Sequence, residues 1–201
     1  MIELESLTEI FSYVCGQQRC FIVDGLELPL CQRCLGLYLG AEVTLVWLVA
    51  SGIWRRGLPP ATIAGIHATA LVAAMLGGLH LLGDGGPVWR FACGLGTGHV
   101  VAFWLVGATV HLWRSLRPGI RVPPWHRRDR CQAIVAILAI CTAAPGWPIL
   151  LQLGWGLCSA AALVGVLCLA ALVTVSLLAV TGWIVMGLAH RIRSADTSTV
   201  S

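Results

Sequence analysis

The sequence contains no lysine: all thirteen basic residues are arginine. Charge of either sign is scarce, at 11% of 201 residues, where a water-soluble domain carries about 25%. Tyrosine occurs twice and methionine three times, and there is no internal repeat or low-complexity tract. These absences argue against a soluble enzyme, a disordered tail and a coiled coil. A basic start is missing too. Met1-Ile2-Glu3-Leu4-Glu5 is acidic, so no secretory signal peptide is read there. Arginine-only usage fits a nucleotide-composition bias, and the net charge of +4 implies no nucleic-acid partner.

Apolar residues fill the chain instead, at 58% of the total and a mean hydropathy of +0.85. A bilayer core of about 30 Å needs about 20 apolar residues per helix. Spans are expected over about 35–54, 61–82, 91–113, 131–151 and 157–189. Pro145-Gly146-Trp147-Pro148 interrupts the fourth, because neither proline donates a backbone hydrogen bond. The fifth run is long for one span and short for two.

The arginines arbitrate. Arg55 and Arg56 form one group, Arg114, Arg117, Arg121, Arg127, Arg128 and Arg130 a second, Arg191 and Arg193 a third. Five spans put all three on one side, the cytoplasm by the positive-inside rule, and the N-terminal segment outside. Splitting the last run would export Arg191 and Arg193, so a single tilted or protruding helix is expected there. The loop holding Pro118, Pro123 and Pro124 reads as a topology determinant near anionic headgroups. The expected fold is all-α: a polytopic transmembrane bundle of about five spans, with the lipid bilayer as its partner. Residues 1–34 form an amphipathic, cysteine-rich extramembrane segment, 35–193 the helical domain and 194–201 a polar tail.

Within the first segment, Leu4, Leu7, Ile10, Phe11 and Val14 recur at near-helical spacing, opposite Glu3, Glu5 and Glu9. This predicts a short amphipathic helix, with Ser6 and Glu9 as a capping box. Nine cysteines fall into two sets. Cys93, Cys131, Cys141, Cys158 and Cys168 lie in or beside apolar runs and read as packing residues. Cys15, Cys20, Cys31 and Cys34 surround Asp24-Gly25, a strong type I′ hairpin signal. Folding about that turn brings Cys15 opposite Cys34, and Cys20 near Pro29 and Cys31. The Cys31-x2-Cys34 spacing lets two sulfurs meet one zinc ion, or each other. A first span beginning at Gly36, together with Arg33, favours the thiolate form. Three readings stay open: a zinc-like metal site on Cys15, Cys20, Cys31 and Cys34, a structural or redox-active disulfide, and unrelated packing thiols.

Ionisable residues inside spans are costly and mark candidate sites. Glu42 and His99 have matching depths, about 10 and 12 Å from the outer ends of their spans. His80 and Asp84 are four residues apart, hence on one helical face, and Arg90 opens the third span. Glu42, His80, Asp84, Arg90 and His99 are therefore candidates for one outward-opening pocket that relays protons, holds a metal or binds an acidic headgroup. The plainer alternative is an ion pair satisfied internally, with a histidine bonded to backbone. Gly94-x3-Gly98 reads as a small-residue seam for close helix packing. His67 and His111, each alone near a cytoplasmic end, read as structural.

Leu28-Pro29-Leu30-Cys31-Gln32-Arg33-Cys34-Leu35-Gly36-Leu37-Tyr38-Leu39-Gly40 resembles the signature of the domain-of-unknown-function 2085 family of small prokaryotic integral membrane proteins. Cys15 matches the cysteine of that family's upstream Cys-His pair, and Arg19-Cys20-Phe21 is similar to its Arg-Ser-Phe. Asp84, Arg90, Gly94 and Gly98 are similar to its later Asp, Arg and Gly-x3-Gly. The likeness covers roughly residues 13–100. Gly16 stands where the family has histidine, and the Asp84–Arg90 connection is short and lacks the expected Gln, Ser and Asn. If the family ligates metal through Cys and His, Cys20 is the replacement ligand here. The resemblance implies a fold, a multi-pass location in the prokaryotic inner membrane and candidate positions, but no reaction. Three functions follow as expectations. One is a metal-holding module. Another is a thiol–disulfide oxidoreductase, in which Cys34 or Cys31 attacks, Cys15 or Cys20 resolves, and Glu42 or His99 handles protons. The last binds a lipid-linked substrate through Asp84 and Arg90.

Overall fold

The computed structural model describes residues 19–78, 85–117, 123–143 and 154–198. The chain enters through a two-stranded antiparallel hairpin, β1 (Cys20–Val23) and β2 (Leu26–Cys31). Helices α1 (Gln32–Ser51), α2 (Ala61–Gly78), α3 (Gly86–Ser115), α4 (Arg127–Ala143) and α5 (Trp155–Ser198) follow, with a short 3-10 turn at Ile53–Arg56. This is the all-α bundle expected, carrying a short hairpin. Among the described residues three helices are long and apolar enough to cross a membrane: Gln32–Ser51, Gly86–Ser115 and Gly156–Ala189. The described part of α2 is shorter, and the ends expected for the second and fourth spans lie outside the described residues. The expected N-terminal amphipathic helix lies outside them as well. The last apolar run is carried by one helix, not two.

Glycine sets a close contact between α1 and α3. On α1, Gly36 and Gly40 press on the backbone of Phe91 and Leu95, while on α3, Gly94 and Gly98 press on that of Arg33 and Leu37. A Cβ at any of the four would overlap a carbonyl oxygen of the opposite helix. Two helices can approach this closely only where both present residues without side chains, and close packing is what holds helices together where lipid is as apolar as leucine. The seam thus works in both directions. It also fixes direction: Gly36 meets Phe91, and Gly98 meets Leu37 and Ala41, so α1 and α3 run parallel. The Gly165 position on α5 faces Tyr38, and Ser176 and Thr109 share a 2.7 Å hydroxyl–hydroxyl hydrogen bond, so α5 runs the same way.

Alternation along the strands places Phe21, Val23, Leu28 and Leu30 on one buried face of the hairpin. That face packs on Leu35 and Tyr38 of α1, Phe91 and Leu95 of α3, and Cys158 and Ala162 of α5. Phe21 meets Phe91 edge to face, with ring centroids 6.3 Å apart. The hairpin therefore closes one end of the three parallel helices. At the other end Leu48, Ile53, Ile63, Phe103 and Ala133 form a second core, flanked by Trp47 and Trp125.

That second end also gathers the basic groups. Arg56 forms an ion pair with Asp129, Nε to Oδ2 at 3.2 Å, and donates to the Pro124 carbonyl at 3.1 Å. Asp129 accepts the His126 amide at 2.8 Å, satisfying a donor at the start of α4. Trp125 Nε1 donates to the Leu58 carbonyl, and Arg114 donates to that of Arg55. Two arginine groups distant in sequence thus meet at one end of the bundle.

Candidate functional site

The hairpin turn has Asp24 at φ 54° and Gly25 at φ 78°, the left-handed pair a type I′ turn requires. Val23 pairs with Leu26 and Ile22 with Glu27, so an unbroken ladder would set Cys20 against Pro29. Proline has no N–H to give the ladder. An irregularity between Cys20 and Ile22 shifts the register by two residues and pairs Cys20 directly with Cys31. The sequence placed Cys20 near both Pro29 and Cys31, and the bulge selects the second. Cys15 lies outside the described residues.

Cys31 ends β2 and caps α1. Its backbone is extended, at φ −65° and ψ 158°, and its sulfur accepts the Cys34 amide at 3.5 Å. The helix therefore begins at Gln32, ahead of the span start read at residues 35–36, because Gln and Arg are good helix formers even where hydropathy is low. Cys34 sits in the first turn, half-buried, whereas Cys31 is 1% exposed. Gln32 ties this corner together. Its backbone N–H donates to the Arg19 carbonyl at 3.1 Å, its side-chain amide donates to the Cys20 carbonyl at 3.4 Å, and its Oε1 accepts Arg90 Nη1 at 3.0 Å. Gln32 and Arg90 thus join hairpin, α1 and α3. Among the described residues no group of three or more His, Cys, Asp or Glu side chains is arranged to hold a metal ion.

The polar groups at depth separate. His80 and Asp84 lie outside the described residues. Glu42 is half-buried and makes no hydrogen bond or ion pair among the described residues. Helical geometry explains why it does not meet His99. Gly36, Gly40 and Thr44 share the face that packs on α3, and Glu42 lies about 200° around the helix from Gly40. His99 instead puts Nδ1 2.8 Å from Thr44 Oγ1, and its ring lies edge-on to His67 with centroids 5.3 Å apart. Phe103 packs on both imidazoles and Trp47 on that of His99. His67 and His99 are 0% and 2% exposed. Arg90 and His99 are nine residues apart on α3, about 13 Å along its axis, and engage different partners.

The sequence reading therefore missed Gln32, Thr44, the pairing of His67 with His99 and the Arg56–Asp129 clamp. Thr44 was findable: it continues the Gly36, Gly40 spacing, and Gly98 adjoins His99. The clamp left no signal, because Asp129 sits among arginines that read only as topology.

No curated protein and no solved structure matches this chain. A family profile described as a predicted membrane protein, DUF2085, matches residues 15–104. That stretch takes in the cysteine hairpin, α1, α2 and much of α3, including both sides of the glycine seam and the Gln32–Arg90 bond. The resemblance carried by Leu28–Gly40 is thus borne out: residues 15–104 match the model of the DUF2085 family of predicted membrane proteins.

Proposed function

We propose that the hairpin end holds a soft, zinc-like metal ion on Cys15, Cys20, Cys31 and Cys34, and that this ion clasps the hairpin over the helix ends. The observation that carries the reading is the Cys31 sulfur, which accepts the Cys34 amide at the helix start while facing Cys20 across the strands. An amide donated to sulfur at a helix N-terminus favours thiolate, the form that ligates metal. Burial of Cys31 suits a closed structural site more than a catalytic one with an open position. The three described cysteines do not suffice, so the proposed site depends on Cys15 as a ligand. Bound there, the ion would supply cross-linking and charge neutralisation. Arg33 and Arg90, at the same end, offset the remaining negative charge. By the positive-inside argument this end faces away from the cytoplasm of a prokaryotic cell.

The rival reading is a thiol–disulfide oxidoreductase, which the cross-strand neighbours Cys20 and Cys31 favour. One assay separates them: metal content and thiol counting on purified protein, before and after chelation. Stoichiometric zinc, thiols released by chelator and loss of the ion in Cys31→Ser support the metal site. A metal-free protein with a reducible Cys20–Cys31 bond overturns it in favour of redox chemistry.

A further inference from the structure

Outside the cysteine corner, unsatisfied polar atoms among the described residues lie inside the bundle. Among the described residues, both ring nitrogens of His67 and Nε2 of His99 are buried without a hydrogen-bond partner. Leaving such groups unpaired costs about 1–3 kcal/mol each. Three sequence elements meet here: His67 on α2, His99 on α3 and Thr44 on α1.

The tautomer of His99 follows from its neighbour. Thr44 Oγ1 lies 2.6 Å from the Gly40 carbonyl, which can only accept, so the single hydroxyl hydrogen is spent there. At 2.8 Å from His99 Nδ1 the hydroxyl oxygen must accept. His99 therefore carries its proton on Nδ1 and turns a lone pair outward at Nε2.

Distance decides what meets that lone pair. A direct N–H···N bond of about 2.9 Å, with about 1.1 Å from each ring centre to its nitrogen, separates the centroids by about 5.1 Å. A two-coordinate ion about 2.0 Å from each nitrogen needs about 6.2 Å. A water bridging two bonds of about 2.8 Å needs roughly 6.5 Å. The rings are 5.3 Å apart and perpendicular, at 87°. A tetrahedral ion would fit that spacing but requires four ligands, and the described residues offer no such group. The direct bond fits this spacing. Neither His67 ring nitrogen has a hydrogen-bond partner among the described residues as placed, and half a turn about the Cβ–Cγ bond exchanges each nitrogen with a carbon while leaving the ring plane where it is.

We propose that His67 donates its ring N–H to His99 Nε2, closing a one-way hydrogen-bond chain from His67 through His99 and Thr44 to the Gly40 carbonyl. The chain latches α2 to the α1–α3 pair. Among the described residues no other side-chain hydrogen bond joins α2 to another helix. Each bond polarises the next in the low dielectric of the membrane, and the aromatic rings of Phe103 and Trp47 keep competing donors away.

The test is solid-state NMR of the full chain, labelled with ¹⁵N-histidine, in lipid bilayers, with His67→Phe and His99→Phe assigning the signals. The expected result is a His99 proton on Nδ1 and an N–N coupling across the pair, lost in either variant. Thr44→Val, nearly isosteric, should keep the protein folded and release His99 into a mixture of tautomers. A His99 proton on Nε2, the absence of coupling, a chelator-sensitive histidine signal or an unchanged tautomer in Thr44→Val each overturns the latch.

Discussion

Gly98 rests against the Leu37 carbonyl oxygen with no room for a methyl group between them. The same holds for Gly94 on the Arg33 carbonyl, and the reciprocal contacts come from Gly36 and Gly40. Gly94→Ala and Gly98→Ala are therefore expected to push α1 and α3 apart and to destabilise by about 1–3 kcal/mol each. Gly96 is the internal control, since a Cβ there meets nothing within 4 Å among the described residues. Gly96→Ala should change stability by no more than about 0.5 kcal/mol. Unfolding in mild detergent measures all three, and equal effects at positions 96 and 98 would remove the seam from the account.

Arg56 and Asp129 should prove energetically coupled. Their side chains are partly buried, and Asp129 also holds the His126 amide. Asp129→Ala loses both contacts and is expected to cost about 1–3 kcal/mol. A double-mutant cycle with Arg56→Ala should give a coupling of about 1 kcal/mol. Additive effects would mean that the pair contributes nothing measurable.

Gly25 tests the turn separately from packing. A Cβ at Gly25 meets nothing within 4 Å among the described residues, yet the residue sits at φ 78°. Gly25→Val should cost about 1–2 kcal/mol through backbone conformation alone. Gly25→Asn should recover most of that, because asparagine tolerates the left-handed region. A thermal shift series reads the difference, and identical losses for Val and Asn would contradict a type I′ turn.

Orientation can be read from Cys131, which is exposed near the start of α4, at the arginine end. With the arginines in the cytoplasm, an impermeant maleimide should label Cys131 only after cells are permeabilised. Labelling of intact cells would invert the proposed topology.

Hydropathy and turn chemistry made much of this legible. The spans of α1, α3 and α5 follow from long apolar runs, and the turn from Asp24-Gly25, because both signals are local. What could not be read depends on rotation and register. Glu42 and His99 have matching depths, but depth ignores the angle around a helix, and Glu42 points away from the face that Gly40 and Thr44 share. Cys20 reached Cys31 only through a bulge that carries the ladder past Pro29. His67 looked like an isolated structural residue because its partner lies on a helix 32 residues further along the sequence.

The final helix outgrows any bilayer. Its apolar stretch, Gly156–Ala189, has 34 residues, or about 51 Å at 1.5 Å per residue. A hydrocarbon layer of about 30 Å crossed at a steep tilt of about 40° accommodates about 26 of them. About eight apolar residues are left over, and Leu116 at the end of α3 already lies beside Gly182, so the surplus belongs to the stretch containing Trp183, Ile184, Val185, Met186 and Leu188. This hydrophobic mismatch obliges the membrane to thicken locally around α5, or the surplus turn or two to find cover in the headgroup layer.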